Sequence, residues 1–297
     1  MITLNRAFTT SASGFPRRQH QVTAVDVRST SGAAARPFHD ANGIETLGNG
    51  RYAAELGPLW TVGTKAHGGL LLVLLAEAGL AGIDAEVPGS APDPLSVAAD
   101  FLRAPDLGPV ELDTEVLKVG RTASVVSVRM TQGGRAMLAA TVTAGRLPDD
   151  EPRWADLPEL SAEPPEDATD PGVAGLAGSC ELKFDTPPFA FARGEQGPPV
   201  LRGWVRPRGE PVDVLFALLA GDILPPVVFN LGGRVGWAPT VQLTALLRAR
   251  PAPGWLRVES RSRAVANPWF DEDVTVIDAA GRLVCQARQL ALSPLVR

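Results

Sequence analysis

The run Leu70 to Ile83, LLLVLLAEAGLAGI, is apolar on nearly every side of a helical projection, with Glu77 its one charged residue. A helix with no face for water has to be enclosed. At this length it is too short to span a bilayer, so the sequence predicts a soluble core helix with a sheet wrapped around it. His67-Gly68-Gly69 opens the run, and glycines at a helix start let a ligand approach free backbone N–H groups closely.

A second run, Asp213 to Pro226 (DVLFALLAGDILPP), has the same character with one interruption. Leu215, Leu218, Leu219, Asp222 and Ile223 recur at helical spacing, with Asp213 as the expected N-cap and Pro225-Pro226 as the stop. That spacing predicts a helix from Asp213 to Leu224 with Asp222 on or beside its core stripe. A carboxylate there is costly unless it is paired, hydrogen-bonded or functional.

Each run sits in the same context. Two strand-like segments around Gly48-Asn49-Gly50 precede the first helix, and four follow it: Leu95 to Arg103, Val110 to Val119, Ala123 to Gln132 and Arg135 to Leu147. Around the second helix the strands are Glu181 to Phe184, Leu201 to Arg206, Thr240 to Arg248, Trp255 to Ala264, Asp273 to Ile277 and Leu283 to Leu290. Short phrases recur as well. Phe101-Leu102-Arg103-Ala104 matches Leu246-Leu247-Arg248-Ala249 at a shift of 145, and Gly134-Arg135-Ala136-Met137 matches Gly281-Arg282-Leu283-Val284 at 147. A duplicated unit is the economical reading: a lead-in over 1–37, a first repeat over 38–147, a connector over 148–179 and a second repeat over 180–297.

Charge follows this division. The four segments carry about +4, −4, −8 and +3 in turn, within a net charge of −5. The acidic, Pro-rich connector reads as solvated, and the Thr/Ser/Arg-rich lead-in as flexible. Two cysteines and three histidines are too few and too scattered for a disulfide framework or a metal cluster. Without an apolar leader the expected location is the cytoplasm. No Gly-x-Ser-x-Gly elbow, dinucleotide fingerprint or basic patch with interleaved aromatics is present, so serine-hydrolase, nucleotide and nucleic-acid roles are disfavoured. No cofactor is expected.

Overlaying the repeats shows where they differ in kind. Asp222 falls opposite Ala78, Thr240 opposite Leu95 and Gln289 opposite Val142. The second repeat has polar side chains where the first is apolar, while the first opens its helix with His67, Gly68 and Gly69. One shared site, with backbone donors from the first repeat and side chains from the second, is the chemistry this suggests. Arg248, Arg250, Arg257, Arg261 and Arg263 are candidates for phosphate contacts but read better as a solvated strand face.

An all-round apolar helix wrapped by a long antiparallel sheet, present twice, resembles the double-hotdog proteins of the acyl-CoA thioesterase II type, an α+β fold. The resemblance rests on Trp60 with His67-Gly68-Gly69, Leu95 to Leu102, Gly120-Arg121, Gln132 to Arg135, Asp222 with Pro225-Pro226, Pro239-Thr240, and Gly281 through Gln286 to Leu290. It implies hydrolysis of an acyl-CoA thioester without a metal or a covalent intermediate. An Asp, a Thr and a Gln of the second hotdog would hold the attacking water, and those roles fall on Asp222, Thr240 and Gln289. Gly68 and Gly69 would supply oxyanion donors, with His67 beside them. The chain departs from the family just after Thr240, where Gln242 and Leu243 replace an acidic residue and a His. A non-catalytic acyl-thioester binding protein on the same fold is the rival. Hydratase chemistry would want a His near the helix Asp, and the second repeat has none. A double hotdog pairs its repeats internally, so a monomer is self-sufficient and a homo-oligomer is compatible with it. Neither a nucleic acid nor a membrane is an expected partner.

Overall fold

The computed structural model describes residues 35–173, 175–232 and 235–294, and most of the lead-in lies outside them. Within the described chain the first repeat begins with a one-turn helix, α1 (Pro37–Ala41), followed by β1 (Glu45–Gly48) and β2 (Arg51–Leu56). A small hairpin of β3 (Thr61–Val62) and β4 (Lys65–Ala66) delivers the chain to α2 (Gly68–Glu86). The repeat then runs through β5 (Asp93–Phe101), β6 (Gly108–Lys118), β7 (Ala123–Gln132) and β8 (Arg135–Gly145). The second repeat has β9 (Cys180–Phe184), β10 (Val200–Pro207), α3 (Val214–Ala220), β11 (Thr240–Leu247), β12 (Leu256–Arg261), the short β13 (Val265–Ala266), β14 (Trp269–Ile277) and β15 (Leu283–Leu292).

Every strand but the β3–β4 pair belongs to one antiparallel sheet, ordered β1-β2-β6-β7-β8-β5-β11-β15-β14-β12-β10-β9, with β13 attached to β14. Counted outward from its middle, each half uses its six long strands in the same sequence: third, sixth, fifth, fourth, second, first. The halves join where β5 meets β11, with Gln242 opposite Asp100 and Leu246 opposite Ser96. This is the double-hotdog architecture expected from the sequence.

α2 is enclosed as its composition demands, with Leu70 to Ala76 all at 2 % exposure or less. It runs past Ile83 to Glu86 and is long and apolar enough to cross a membrane by composition, but most of it is buried by the protein itself. α3 is shorter than its sequence suggests. The helix stops at Ala220 instead of Leu224, and Asp222 lies in the turn that follows. Pro225 has no N–H for the Gly221 carbonyl, and its ring disfavours a helical Leu224, so the last helical turn cannot form. The N–H groups of Gly221, Asp222 and Ile223 instead reach the carbonyls of Leu218, Leu219 and Ala220 in tighter i→i+3 turns, at 3.1, 3.0 and 3.4 Å. Phe38, Trp60 and Phe216 meet edge-to-face, with centroids 5.1 to 6.2 Å apart, and tie α1 and the β3–β4 hairpin to α3.

The acidic connector keeps its side chains largely exposed, as its charge suggests, while its backbone is tied to the fold. Trp204 Nε1 donates to the Ser161 carbonyl at 2.8 Å and Arg257 Nη1 to that of Leu160 at 2.7 Å. Trp60 N–H donates to Gly175 at 2.8 Å, and Thr169 bridges to Phe184. The two repeats supply the N–H groups that use these backbone carbonyls.

Candidate functional site

The N-terminus of α2 abuts the turn that follows α3. A Cβ placed on Gly68 would stand 2.5 Å from Asp222 Oδ2, and one on Gly69 would stand 2.6 Å from the Leu219 carbonyl oxygen. Only glycine at both positions permits this approach. Asp222 is half-buried, with protein on most sides of its carboxylate. Burial pushes its carboxyl up to about 7, against the pull of the Gly69 N–H, which favours the charged form.

His67 is the N-cap of α2, and its Nδ1 accepts the Gly69 N–H at 3.1 Å. The proton of the neutral ring therefore sits on Nε2. The side chain is 3 % exposed, and burial lowers its pKa to about 4, so it is uncharged at neutral pH. The Gly69 N–H thus meets His67 Nδ1 and the Asp222 carboxylate, whereas it was expected to serve an oxyanion. Gly68, at the first helical position, retains an N–H with no intrahelical acceptor. Replacing His67 by Ala should cost about 1 kcal/mol as a lost cap, a fall of about 2–4 °C in the thermal midpoint that calorimetry would register. An unchanged midpoint would argue against the capping role.

Thr240 and Gln289 come together. Thr240 Oγ1 donates to Gln289 Oε1 at 2.8 Å. A bulge brings this about. Leu243 pairs with Gln289 and Gln242 with Leu290, but Thr240 pairs with Ala291, so one extra residue lies between Thr240 and Gln242. In unbroken alternation Thr240 would face away from Leu243 and Gln289. The extra residue turns it onto the same, helix-facing side. Leu243, at 1 % exposure, is core, and Gln242 Nε2 donates to Thr244 Oγ1 at 2.7 Å.

Sequence reasoning missed Glu272. It lies on β14 directly opposite Gln289, is 2 % exposed, and accepts the Gln289 Nε2–H on Oε2 and the Val227 N–H on Oε1 at 2.6 Å. Burial pushes its carboxyl up to about 8, the Val227 and Gln289 hydrogen bonds oppose the rise, and the charge of Asp222 adds to it. Starting this strand at Asp273 hid the signal. Phe270, Glu272, Val274 and Val276 alternate on one face, and a carboxylate in that apolar series is as conspicuous as Asp222 is in its own.

The other candidates fall elsewhere. Arg250 pairs with Asp93 at 2.6 Å, Arg261 with Glu259 at 2.6 Å and Arg263 with Asp273 at 2.6 Å, while Arg257 bonds the carbonyls of Asp278 and Leu160. Glu77 and Asp213 line a separate groove with Asp93 and Arg250, and burial raises both of their carboxyls. Cys180 and Cys285 are buried, which pushes both thiols up to about 12 and leaves them unreactive.

Comparison with known proteins agrees with this architecture. Residues 56–145 match the family model of the acyl-CoA thioesterase N-terminal domain, and residues 149–293 that of the acyl-CoA thioesterase C-terminal domain. An uncharacterised protein of Mycobacterium tuberculosis is 41% identical, over 82% of this chain and 91% of its own. A protein provisionally described as a thioesterase II from Thermobifida fusca YX is similar in structure, with a TM-score of 0.78 and 37% identity over 88% of this chain and 99% of its own. The acyl-CoA thioesterase II TesB2 of Mycobacterium marinum shares the fold at a TM-score of 0.66 and 14% identity, over 87% of this chain and 97% of its own. Two thioesterase domains in tandem, joined into one sheet around two buried helices, place the chain in the acyl-CoA thioesterase II family of double-hotdog thioester hydrolases.

Proposed function

We propose that the protein hydrolyses fatty-acyl-type CoA thioesters by direct attack of a water that Asp222 activates and Thr240 and Gln289 orient. The supporting observation is Asp222 itself, a carboxylate set against the N-terminus of α2 whose pKa, about 7, suits a general base at neutral pH. In the reaction Asp222 takes a proton as the water oxygen bonds to the thioester carbon. The carbonyl oxygen becomes an oxyanion near the Gly68 N–H and the positive end of the α2 dipole. Collapse of this adduct breaks the carbon–sulfur bond. The Asp222 proton then passes to the departing thiolate, giving a free acid and the coenzyme A thiol. Buried, unpaired cysteines suit a reducing cytoplasm.

The test is free-thiol release from acyl-CoAs of rising chain length. Turnover is expected with a kcat/KM that climbs with pH on the acid side and levels off only above about 8, with apparent pKa values that belong to Asp222 and Glu272 as a coupled pair. Tight binding of the whole series with no thiol released would replace the hydrolase reading with that of an acyl-thioester binding protein.

A further inference from the structure

Gln289 has a carboxamide whose two ends are nearly the same shape and opposite in function. Its hydrogen bond with Thr240 does not decide which end points where, because a hydroxyl both donates and accepts. The deciding contact is on the other side. Glu272 stands across the strand pair from Gln289, and its two oxygens face two N–H groups, Val227 N–H and Gln289 Nε2–H. The Val227 amide cannot turn round. It opens the short 3₁₀ turn Val227–Leu231, which Asn230 anchors by accepting the Phe191 N–H at 3.2 Å and donating to the carbonyls of Pro198 and Val200 at 3.0 and 3.2 Å.

We propose that Glu272 is a positioning residue of the hydrolytic site, holding the Gln289 carboxamide with its oxygen toward Thr240 and its nitrogen toward the β14 carboxylate. The consequence lies in what this leaves free. With one Nε2 hydrogen spent on Glu272, the other remains to hold the oxygen of the attacking water. With its own hydrogen given to Gln289 Oε1, Thr240 keeps its lone pairs for one proton of that water, while Asp222 takes the other. With Glu272 ionised, a state its raised pKa of about 8 places at mildly alkaline pH, the reversed carboxamide would set Oε1 against a carboxylate and turn an acceptor toward the water, where the proposed attack needs a donor. The role as stated rests on the hydrolase reading above, but the orientation of Gln289 is a property of the resting protein.

Glu272→Gln is the informative change, since it keeps the shape but leaves a single acceptor for two N–H donors. If the new carboxamide serves Val227, its NH₂ faces Gln289 and favours the reversed orientation. Turnover should fall about 10- to 100-fold with KM within about threefold, because geometry at the water is lost while the acyl-CoA surface is untouched. In a Gln289→Ala background the same change should alter kcat by less than about threefold, as expected of residues acting through one another. A readout independent of activity comes from ¹⁵N-glutamine labelling. Above about pH 8, where Glu272 is ionised, a Gln289 side-chain proton of the wild type should be displaced downfield by its bond to a carboxylate, and that displacement should vanish in Glu272→Gln. An undisplaced wild-type signal, or a folded Glu272→Gln enzyme with full kcat, overturns the proposal. If the wild type releases no thiol at all, the hydrolase reading is what fails, and the amide signals decide the orientation by themselves.

Discussion

Asp222→Asn should lower thiol release about 10²- to 10⁴-fold and at the same time make the protein more stable above neutral pH. The first effect follows from removing a general base. The second follows from where the group is held. A carboxyl that ionises near 3.9 in the unfolded chain and about 7 in the folded one binds its proton more tightly when folded. The stability this contributes is fully present in acid and is lost as pH rises through about 7. Asparagine has no such charge to bury. The shift corresponds to at most about 4 kcal/mol, and some contact with water reduces it, so a gain of about 1–3 kcal/mol at pH 8 is expected. Thermal midpoints should therefore diverge with pH, nearly equal at pH 4 and higher for Asp222→Asn by about 3–9 °C at pH 8. An Asn variant that is inactive but no more stable at pH 8 would mean that the carboxylate is paid for by contacts that Asn also makes. A variant with full activity would remove Asp222 from the reaction.

How much of this was readable from the residues depends on how local each cause is. The wrapped helix was legible because fourteen consecutive residues, Leu70 to Ile83, leave no face for solvent, and the duplication was legible in order and spacing. Asp222, Thr240 and Gln289 emerged from the overlay of repeats, which asks only what differs in kind. The early end of α3 was within reach of the sequence, since Pro225 acts on Gly221 four residues earlier. The bulge before Gln242 was not. Nothing in Thr240-Val241-Gln242 marks an extra residue, and its effect appears only when β11 is laid against β15. Glu272 was lost to a strand boundary placed four residues late, at Asp273 and not Trp269, which cut the alternation that would have exposed it. The attachment of the connector was hidden for a different reason. Its charge describes its side chains, whereas its attachment to the fold runs through the backbone carbonyls of Leu160, Ser161 and Gly175.

The two glycines at the start of α2 should separate activity from stability when each is replaced by alanine. Both substitutions gain up to about 1 kcal/mol of helix propensity, less at a helix end. What opposes that gain differs between them. At position 68 the new methyl meets Asp222 Oδ2 at 2.5 Å, and the carboxylate relieves the clash by rotating away. The cost is small enough for the propensity to offset, so the midpoint should stay within about 2 °C, but the base is displaced and kcat should drop about 10- to 100-fold. At position 69 the methyl meets the Leu219 carbonyl oxygen at 2.6 Å, and the His67 ring at 3.1 Å. A main-chain atom cannot rotate aside. The two helix ends must separate, at an overpacking cost of about 1–3 kcal/mol or more that exceeds the propensity gain. Gly69→Ala should therefore lose several degrees of midpoint as well as activity. Thermal melts and thiol release on the pair decide the matter. Equal destabilisation of both variants would show that Asp222 is held as rigidly as the backbone, and an active Gly68→Ala enzyme would show that the carboxylate does its work from another position.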